Sequence, residues 1–264
     1  MTKNRWHELY TGPWVVTGNV AKVKVLHELH GLIAQGLTPA ILDIGCVGPQ
    51  PLEFWNPLLT AYDNHFRLTG IDVRGIETAQ KLVAQRNWHN RVVLRQGDGY
   101  KLSELFSPQS FDVAVATQVL EHVARLPLFM RQAFIALKPG ADGFFTVDSA
   151  HWRSRFDLRE PGRLVKNLIK KGLSWLGDER HYDLPWFDRE LTAICKQEGL
   201  EVVNCGYYNL APLKFIHNHI IPTNQKNTFM RLWFELEEFL NEEEAVREQV
   251  KHHFLALYLH VRKK

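Results

Sequence analysis

The sequence is poor in the features that mark secreted, membrane-spanning and metal-dependent proteins. It has 3 cysteines among 264 residues, too few for a disulfide framework, so we expect reduced thiols. Residues 1–7 have no apolar core of the kind found in signal peptides, and no apolar run is long enough to span a bilayer. No Cys and His spacing resembles a metal site. We therefore expect a cytoplasmic protein without a bound metal.

The chain also lacks a strong charge of either sign. It has 32 Lys and Arg against 29 Asp and Glu, a formal net charge of +3 at pH 7. That balance is too weak to indicate a nucleic-acid partner, and we expect none. Hydrophobic residues make up 45% of the chain, and this length can build a sizeable core within one domain.

Strand and helix patterns alternate from residue 18 to residue 208. The predicted strands are 40–45, 67–73, 91–95, 111–116, 143–148, 201–208 and 254–261. The predicted helices include 19–35, 51–62, 76–87, 121–137 and 188–198. This alternation predicts an α/β, Rossmann-like, doubly wound and mostly parallel sheet of seven strands.

A helix stop signal and two insertions interrupt this pattern. Lys138-Pro139-Gly140 is predicted to stop the helix over 121–137, because proline lacks an N–H and glycine accepts a positive φ. Insertions at 149–187 and 209–250 interrupt the alternation. We expect these insertions to carry specificity for a substrate, since functional residues concentrate on such connecting segments.

Polar residues lie at the carboxyl ends of four successive predicted strands. They are Asp43 to Gly48, Asp72, Asp98-Gly99 and Thr117-Gln118. In doubly wound sheets the ligand lies outside these ends, at the switch point of the strand order. A buried carboxylate such as Asp43 is costly without a partner, and Gly45 permits a tight turn beside it. The acids favour a ligand that carries a cation and hydrogen-bond donors.

These motifs resemble those of class I S-adenosylmethionine-dependent methyltransferases. The matching segments are Leu-Asp-Ile-Gly-Cys at 42–46, Ile-Asp-Val at 71–73, Gln-Gly-Asp-Gly at 96–99, Phe-Asp-Val-Ala-Val-Ala-Thr-Gln-Val-Leu-Glu-His-Val at 111–123 and Leu-Lys-Pro-Gly at 137–140. The family's first loop reads Asp-x-Gly-x-Gly-x-Gly, whereas here Val47 and Pro49 replace two glycines and Gly48 is shifted by one. We expect this loop to turn differently, since valine does not easily adopt a positive φ.

The resemblance implies S-adenosylmethionine as the cofactor. It implies the following cofactor-binding residues: Asp43, Gly45, Cys46, Asp72, Val73, Asp98, Gly99 and Gln118. Asp43 would hold the amino group of the methionyl part, and Gln118 would lie near that part. Asp72 would accept hydrogen bonds from both ribose hydroxyls, and Asp98 would accept one from the adenine amine. The carboxylate chemistry agrees, since one carboxylate offers two acceptor oxygens to a diol.

The resemblance also implies transfer of a methyl group to a small-molecule or lipid-linked acceptor. Residues 117–120 lack the Asn/Asp-Pro-Pro-aromatic run of enzymes that methylate amino groups, which favours an oxygen or carbon acceptor. His151, after the fifth strand, and His122, after the fourth, are candidate bases. The chain has 13 histidines, so a structural role for either stays open.

By the same resemblance, residues 1–264 form one methyltransferase domain. It has an N-terminal helical extension at 1–38, a cofactor-binding half at 40–148, and an acceptor pocket or lid built from the two insertions. A basic amphipathic segment at 161–177 is either part of that lid or a peripheral membrane contact. The sequence does not indicate an oligomeric state.

Two other functions stay open. A nicotinamide-dependent oxidoreductase shares this fold and the ribose-binding acid, but it expects Gly-x-Gly-x-x-Gly, and residues 45–50 read Gly-Cys-Val-Gly-Pro-Gln. A catalytically inactive protein that binds S-adenosylmethionine and acts as a partner is the second alternative, because Val47 alters the cofactor loop.

Overall fold

The computed structural model describes Tyr10 and residues 18–47, 52–62, 65–152 and 184–264. The strands are β1 (Ala40–Ile44), β2 (Arg67–Asp72), β3 (Val92–Gln96), β4 (Phe111–Thr117), β5 (Leu137–Asp148), β6 (Leu200–Leu210) and β7 (Phe254–Lys263). They form one sheet in the order β3-β2-β1-β4-β5-β7-β6. Only β7 is antiparallel to its neighbours, β5 and β6. The predicted Rossmann-like, mostly parallel sheet of seven strands is confirmed.

Helices cover both faces of this sheet. In the described ranges they are α1 (Val20–Ala34), α2 (Asn56–Ala61), α3 (Ile76–Gln85), α4 (Leu102–Leu105), α5 (Leu126–Ala136), α6 (Asp188–Gln197), α7 (Ala211–His219), α8 (Lys226–Glu242) and α9 (Glu244–Val250). None of these helices combines the length and the apolar character needed to cross a membrane.

Alternating side chains of the central strands divide the core into two layers. On β1, Ile41 packs into the layer that contains α1, α2, α3 and α8, whereas Leu42 packs into the layer that contains α5 and α6. This alternation follows from the pleat of the strand, which sends successive side chains to opposite faces. Because both faces are covered, the polar ends of the strands are left for a ligand.

The helix predicted over 121–137 begins five residues later than expected. Leu120–His122 form a separate 3-10 turn, and α5 starts at Leu126. A helix starting at 121 would place Pro127 in its interior, where the proline ring clashes with the carbonyl group of Val123. Pro127 instead lies in the first turn of α5, where no N–H is required. His122 therefore ends the 3-10 turn and does not begin the helix.

The predicted end of this helix is confirmed to within one residue, but Lys138-Pro139-Gly140 lie inside β5 and do not form the stop. The helix has already ended at Ala136, and Leu137 is the first residue of β5, which is longer than the predicted 143–148. The carbonyl group of Ala136 accepts a hydrogen bond from the N–H of Ser110 at 2.8 Å, so residues before β4 terminate the helix. Gly140 adopts a φ of 74° within the strand, where the register with β4 is irregular.

Candidate cofactor and active site

Asp43 lies at the carboxyl end of β1 and is almost completely buried, with 6% of its surface exposed. The indole N–H of Trp55 donates a hydrogen bond of 2.6 Å to its Oδ2 atom. Burial raises the pKa of Asp43 to about 7, while the bond from Trp55 and the positive charge of Lys22 oppose that shift. A buried acid with one neutral donor can accept a further cationic partner.

The loop after β1 needs glycine at position 45. Gly45 has a φ of 81°, and a Cβ atom there would lie 2.5 Å from the Cγ2 atom of Val119. The N–H groups of Gly45 and Cys46 both donate to the carbonyl oxygen of Ile71 on β2, at 2.8 and 3.1 Å. Val47 has no positive φ, and residues 48–50 lie outside the described residues, so the expected difference from the family's loop stays a prediction.

Asp72 joins the loops that follow β1 and β2. Its Oδ2 atom accepts the N–H of Val47 at 3.0 Å, and its Oδ1 atom accepts the N–H of Arg74 at 3.3 Å. Each oxygen of a carboxylate has about two lone-pair directions, so both keep room for a further donor. Val73, which follows Asp72, is 55% exposed and contributes its carbonyl oxygen to a bond with the Gln96 side chain at 3.1 Å.

Asp98 begins the loop after β3. Its Oδ1 atom accepts the N–H of Tyr100 at 2.8 Å and caps the 3-10 turn Gly99–Lys101. A Cβ atom at Gly99 would meet the Phe129 ring at 2.7 Å, so a larger residue does not fit there without a shift. The N–H of Gly97 donates to the carbonyl oxygen of Asp72 at 2.8 Å. The loops after β1, β2 and β3 are therefore bonded to one another along one edge of the sheet.

Gln118, immediately after β4, holds a left-handed conformation with a φ of 57°. Its N–H donates to the carbonyl oxygen of Thr146 on β5 at 2.9 Å. Its side-chain Oε1 atom accepts the amide of Asn19, just before α1, at 3.0 Å. Non-glycine residues with positive φ cluster at functional sites, because the surrounding structure must hold them there.

The two candidate bases lie in different environments. His122 is exposed, whereas His151 is 6% exposed and its Nε2 atom lies 2.9 Å from Oδ1 of Asp188. The hydroxyl of Tyr207 donates to the other carboxylate oxygen of Asp188 at 2.6 Å. These hydrogen bonds, the one from His151 above all, hold the pKa of Asp188 well below its usual range. The half-buried carboxylate of Asp188 therefore orients the ring of His151.

The segment before α6 connects the ends of β4 and β5. The N–H of Leu184 donates to the carbonyl oxygen of Glu121 at 2.9 Å, and the N–H of Trp186 donates to that of Asp148 at 3.0 Å. The indole N–H of Trp186 also donates to the carbonyl oxygen of Leu120 at 2.9 Å. The strand ends that carry Gln118 and His151 are thus tied together.

Sequence reasoning missed three residues at the end of β1. Trp55 bonds Asp43 directly, and Lys22 lies within electrostatic range of Asp43 and Glu121. Glu121 stands beside His122 in the segment 111–123 that resembles the family's motif, but no local spacing links it to Lys22. In the described ranges, no group of three or more His, Cys, Asp or Glu side chains is placed to hold a metal ion.

Comparison with known proteins identifies the family. A family model described as a methyltransferase domain matches residues 23–204, more than half of the chain. The chain belongs to the methyltransferase-domain family. A curated relative, ubiquinone biosynthesis O-methyltransferase of Neisseria meningitidis serogroup A, is 24% identical over 169 residues. That match covers 62% of this chain and 64% of the relative, so it spans less than two thirds of the relative's length.

Solved methyltransferase structures share the fold at low sequence identity. A SAM-dependent methyltransferase of Archaeoglobus fulgidus has a TM-score of 0.53 and 14% identity, over 92% of this chain and 94% of that one. The 1,6-didemethyltoxoflavin-N1-methyltransferase of Burkholderia thailandensis, solved with S-adenosylhomocysteine, also has a TM-score of 0.53 and 14% identity. That match covers 92% of this chain and 78% of the Burkholderia one. These findings confirm the predicted class I methyltransferase family and S-adenosylmethionine as its cofactor.

The donor set at this edge fits the methyltransferase cofactor. Asp72 keeps acceptor capacity on both oxygens, as a ribose diol requires, and Asp98 accepts one backbone bond with one oxygen. The buried acid Asp43 supplies negative charge where a cationic group would be stabilised. The individual roles of these residues stay predictions.

Proposed function

We propose that this protein transfers a methyl group from S-adenosylmethionine to an oxygen or carbon atom of a small-molecule or lipid-linked acceptor. The observation that carries the proposal is the edge of the sheet where three adjacent strands end, with Asp43 and Asp72 in the last residues of β1 and β2 and Asp98 just after β3. When bound, S-adenosylmethionine supplies a methyl group that is already activated by its sulfonium. The protein then needs chiefly to align the acceptor, and binding at this edge serves that purpose.

Two observations support oxygen or carbon as the acceptor atom. Residues 117–120, Thr-Gln-Val-Leu, lack the motif of enzymes that methylate amino groups. The Neisseria relative is named as an O-methyltransferase. The basic segment at 161–177 would favour a lipid-linked acceptor and a peripheral membrane contact, but it lies outside the described residues. The free thiols of Cys46, Cys195 and Cys205 agree with a cytoplasmic location.

Calorimetry with S-adenosylmethionine and S-adenosylhomocysteine tests the cofactor site. We expect Asp72→Ala to lower the affinity for both at least about tenfold, or about 1.4 kcal/mol, because the diol loses its acceptors. Glu104→Ala, which removes an exposed acid on α4, is the matched control and should leave the affinity unchanged. Equal affinity in the parent and in Asp72→Ala would contradict the predicted binding of the ribose diol by Asp72.

Turnover is tested with S-adenosylmethionine that carries a labelled methyl group. Aqueous and chloroform-soluble fractions of a cell extract serve as acceptors, so that small-molecule and lipid-linked substrates give different results. Binding of the cofactor without transfer to either fraction would favour the inactive partner protein. Binding of a nicotinamide dinucleotide in place of S-adenosylmethionine would favour the oxidoreductase.

We further propose that His151 is the general base. A bond from Nε2–H to Asp188 leaves the basic lone pair on Nδ1, and the carboxylate stabilises the ring when it takes a proton. With S-adenosylmethionine held by Asp43, Asp72 and Asp98, the cofactor would supply the methyl group to an oxygen acceptor and keep the electron pair of its carbon–sulfur bond. The acceptor's proton passes to His151. His122, by contrast, is exposed.

Substitution of each histidine separates the two candidates. We expect His151→Gln, which keeps a hydrogen-bond donor near Asp188 but no base, to lower kcat about 10²–10⁴-fold without changing the KM for the cofactor. Asp188→Asn should shift the pH profile of kcat as well as lower it. His122→Ala is the control at the exposed site. Full activity in His151→Gln, with loss in His122→Ala, would reverse the assignment.

A further inference from the structure

His151 is surrounded by three rings just after the end of β5. The rings of Phe187, Tyr207 and His252 meet it edge to face, with centroids 4.9, 5.6 and 5.5 Å away. Only 6% of His151 is exposed. Packing of this kind limits where the imidazole can lie, but it does not decide which nitrogen atom carries the proton. That decision needs a hydrogen-bond partner in a fixed position.

Asp188, the first residue of α6, supplies this partner. Its Oδ1 atom lies 2.9 Å from Nε2 of His151, and its Oδ2 atom accepts the hydroxyl of Tyr207 at 2.6 Å. The two bonds help to hold the pKa of Asp188 well below its usual range, so the carboxylate is ionised and can only accept. Nε2 must therefore carry a proton. Without the bond from Tyr207, the carboxylate could turn about its Cβ–Cγ bond.

Tyr207 is itself held from outside the sheet. It lies on β6, an edge strand, where outward N–H and C=O groups have no neighbouring strand to bond. The side chain of Asn241 on α8 takes that place, since its Oδ1 atom accepts the N–H of Tyr207 and its amide donates to the carbonyl oxygen, both at 2.8 Å. The same amide donates to the carbonyl oxygen of Glu237 at 2.8 Å, which fixes Asn241 to its own helix.

The residue before Tyr207 permits this close approach of α8. A Cβ atom at Gly206 would lie 3.0 Å from Oδ1 of Asn241, so a larger residue would crowd the asparagine. Tyr207 is 1% exposed, and burial together with the charge of Asp188 raises its pKa, which keeps its hydroxyl protonated. Hydrogen bonds thus run without a break from Asn241 through Tyr207 and Asp188 to His151.

We propose that Tyr207 is a positioning residue for His151, and that it acts by holding the carboxylate of Asp188 from a strand edge that Asn241 fixes to α8. The inference rests on the proposed function, in which His151 takes the proton of the acceptor. It deepens that function, because it gives the insertion at 209–250 a part in orienting the base. No proton moves to or from Tyr207, whose hydroxyl only donates to Asp188.

A packing role for Tyr207 has a different signature. Tyr207→Phe keeps the buried ring and removes only the hydroxyl. If the ring alone matters, the bond from His151 to Asp188 persists in this variant. If the hydroxyl holds the carboxylate, that bond becomes weaker, and the Nε2 proton of His151 exchanges with water faster.

Proton NMR of the imidazole N–H groups tests the proposal on the full chain without an acceptor. We expect the parent to show a slowly exchanging resonance for the Nε2 proton, assigned by its absence from His151→Gln. Tyr207→Phe should speed its exchange at least about tenfold, as expected for the loss of one hydrogen bond to a charged group. Tyr258→Phe is the matched control, since it removes a buried hydroxyl on β7 that has no partner in the described ranges.

A second variant and a second measurement complete the test. Asn241→Ala removes both bonds to the Tyr207 backbone and should also speed the exchange, and thermal unfolding shows whether each variant is folded. Transfer of a labelled methyl group to the extract fractions, at saturating S-adenosylmethionine, should be about tenfold slower in Tyr207→Phe, with the KM for the cofactor unchanged.

The outcomes separate this inference from the proposed function. Faster exchange and slower transfer in Tyr207→Phe, with neither in Tyr258→Phe, support the positioning role. An unchanged resonance in Tyr207→Phe overturns it, as does faster exchange without slower transfer, and both leave cofactor binding intact. A parent protein that does not bind S-adenosylmethionine overturns the proposed function itself.

Discussion

Two buried carboxylates, one on each side of the molecule, have different roles. Asp43 ends β1 on the cofactor side, and Glu237 lies on α8 behind β6. Burial raises both pKa values, to about 7 for Asp43 and about 8 for Glu237. Glu237 accepts hydrogen bonds from the N–H groups of Asn209 and Leu210 at 3.0 and 2.6 Å, and from the indole of Trp233 at 2.5 Å. From the described residues, Asp43 accepts one, from Trp55.

The difference separates a structural acid from one suited to a ligand. Three donors satisfy most of the acceptor capacity of Glu237, so this carboxylate stabilises the end of β6. It thereby supports Asn209, whose side chain caps α1. Asp43 has the same cost of burial but fewer partners, and its remaining acceptor capacity lies at the edge where strand ends and loops meet. Burial raises the pKa of both carboxylates. The number of hydrogen-bond donors that each carboxylate accepts distinguishes the structural acid from the acid suited to a ligand.

Removing Glu237 should give the largest effect. We expect Glu237→Ala to lower the free energy of unfolding by at least about 3 kcal/mol, since three buried donors would each lose a partner worth about 1 kcal/mol or more. Glu235→Ala removes an exposed acid from the same helix and should change it by less than about 0.5 kcal/mol. Urea denaturation of both variants measures the difference. Equal stability of the two variants would show that Glu237 is not a structural acid and would remove its contrast with Asp43.

The acids of the cofactor edge could be predicted from the sequence because their signal is local. Asp43 and Asp72 directly follow apolar residues, Asp98 comes four residues after another apolar run, and the order of the runs places all three along one edge. Pro127 carried an equally local signal, since its position was enough to exclude a helix from 121. The strands were found for the same reason, although β5 begins earlier than its apolar stretch.

The supporting network had no local signal. Asn19 and Asn209 are 190 residues apart, and His151 and Asp188 are 37 apart, so no spacing links either pair. Lys22 is one of two lysines in α1, and a lysine on a helix is more often in contact with solvent than with a buried acid. Such contacts depend on the packing of α1, α6 and α8 on the sheet, which the sequence pattern predicts only in outline.

The smallest effect we expect is the pH dependence of cofactor binding. With a pKa of about 7, Asp43 is mostly protonated at pH 6 and mostly a carboxylate at pH 8. A bound ammonium favours the carboxylate, so the affinity for S-adenosylmethionine should rise by up to about tenfold across this range, with release of a proton. Calorimetry at pH 6, 7 and 8, in buffers of different ionisation enthalpy, measures both quantities. Asp43→Asn should bind more weakly and without this pH dependence.

Stability should respond to the same titration with the opposite sign. The folded pKa of Asp43 lies above its unfolded value of about 3.9, so the folded state binds more protons between these values, and stability falls as pH rises from about 4 to about 7. Titration of Glu237 lowers the stability in a similar way up to about pH 8, but Glu237 lies away from the cofactor edge. Glu237→Gln should therefore flatten the stability profile and leave the pH dependence of cofactor binding intact. A parent affinity independent of pH, or an equal slope in Asp43→Asn, would show that Asp43 is no more available to the cofactor than Glu237.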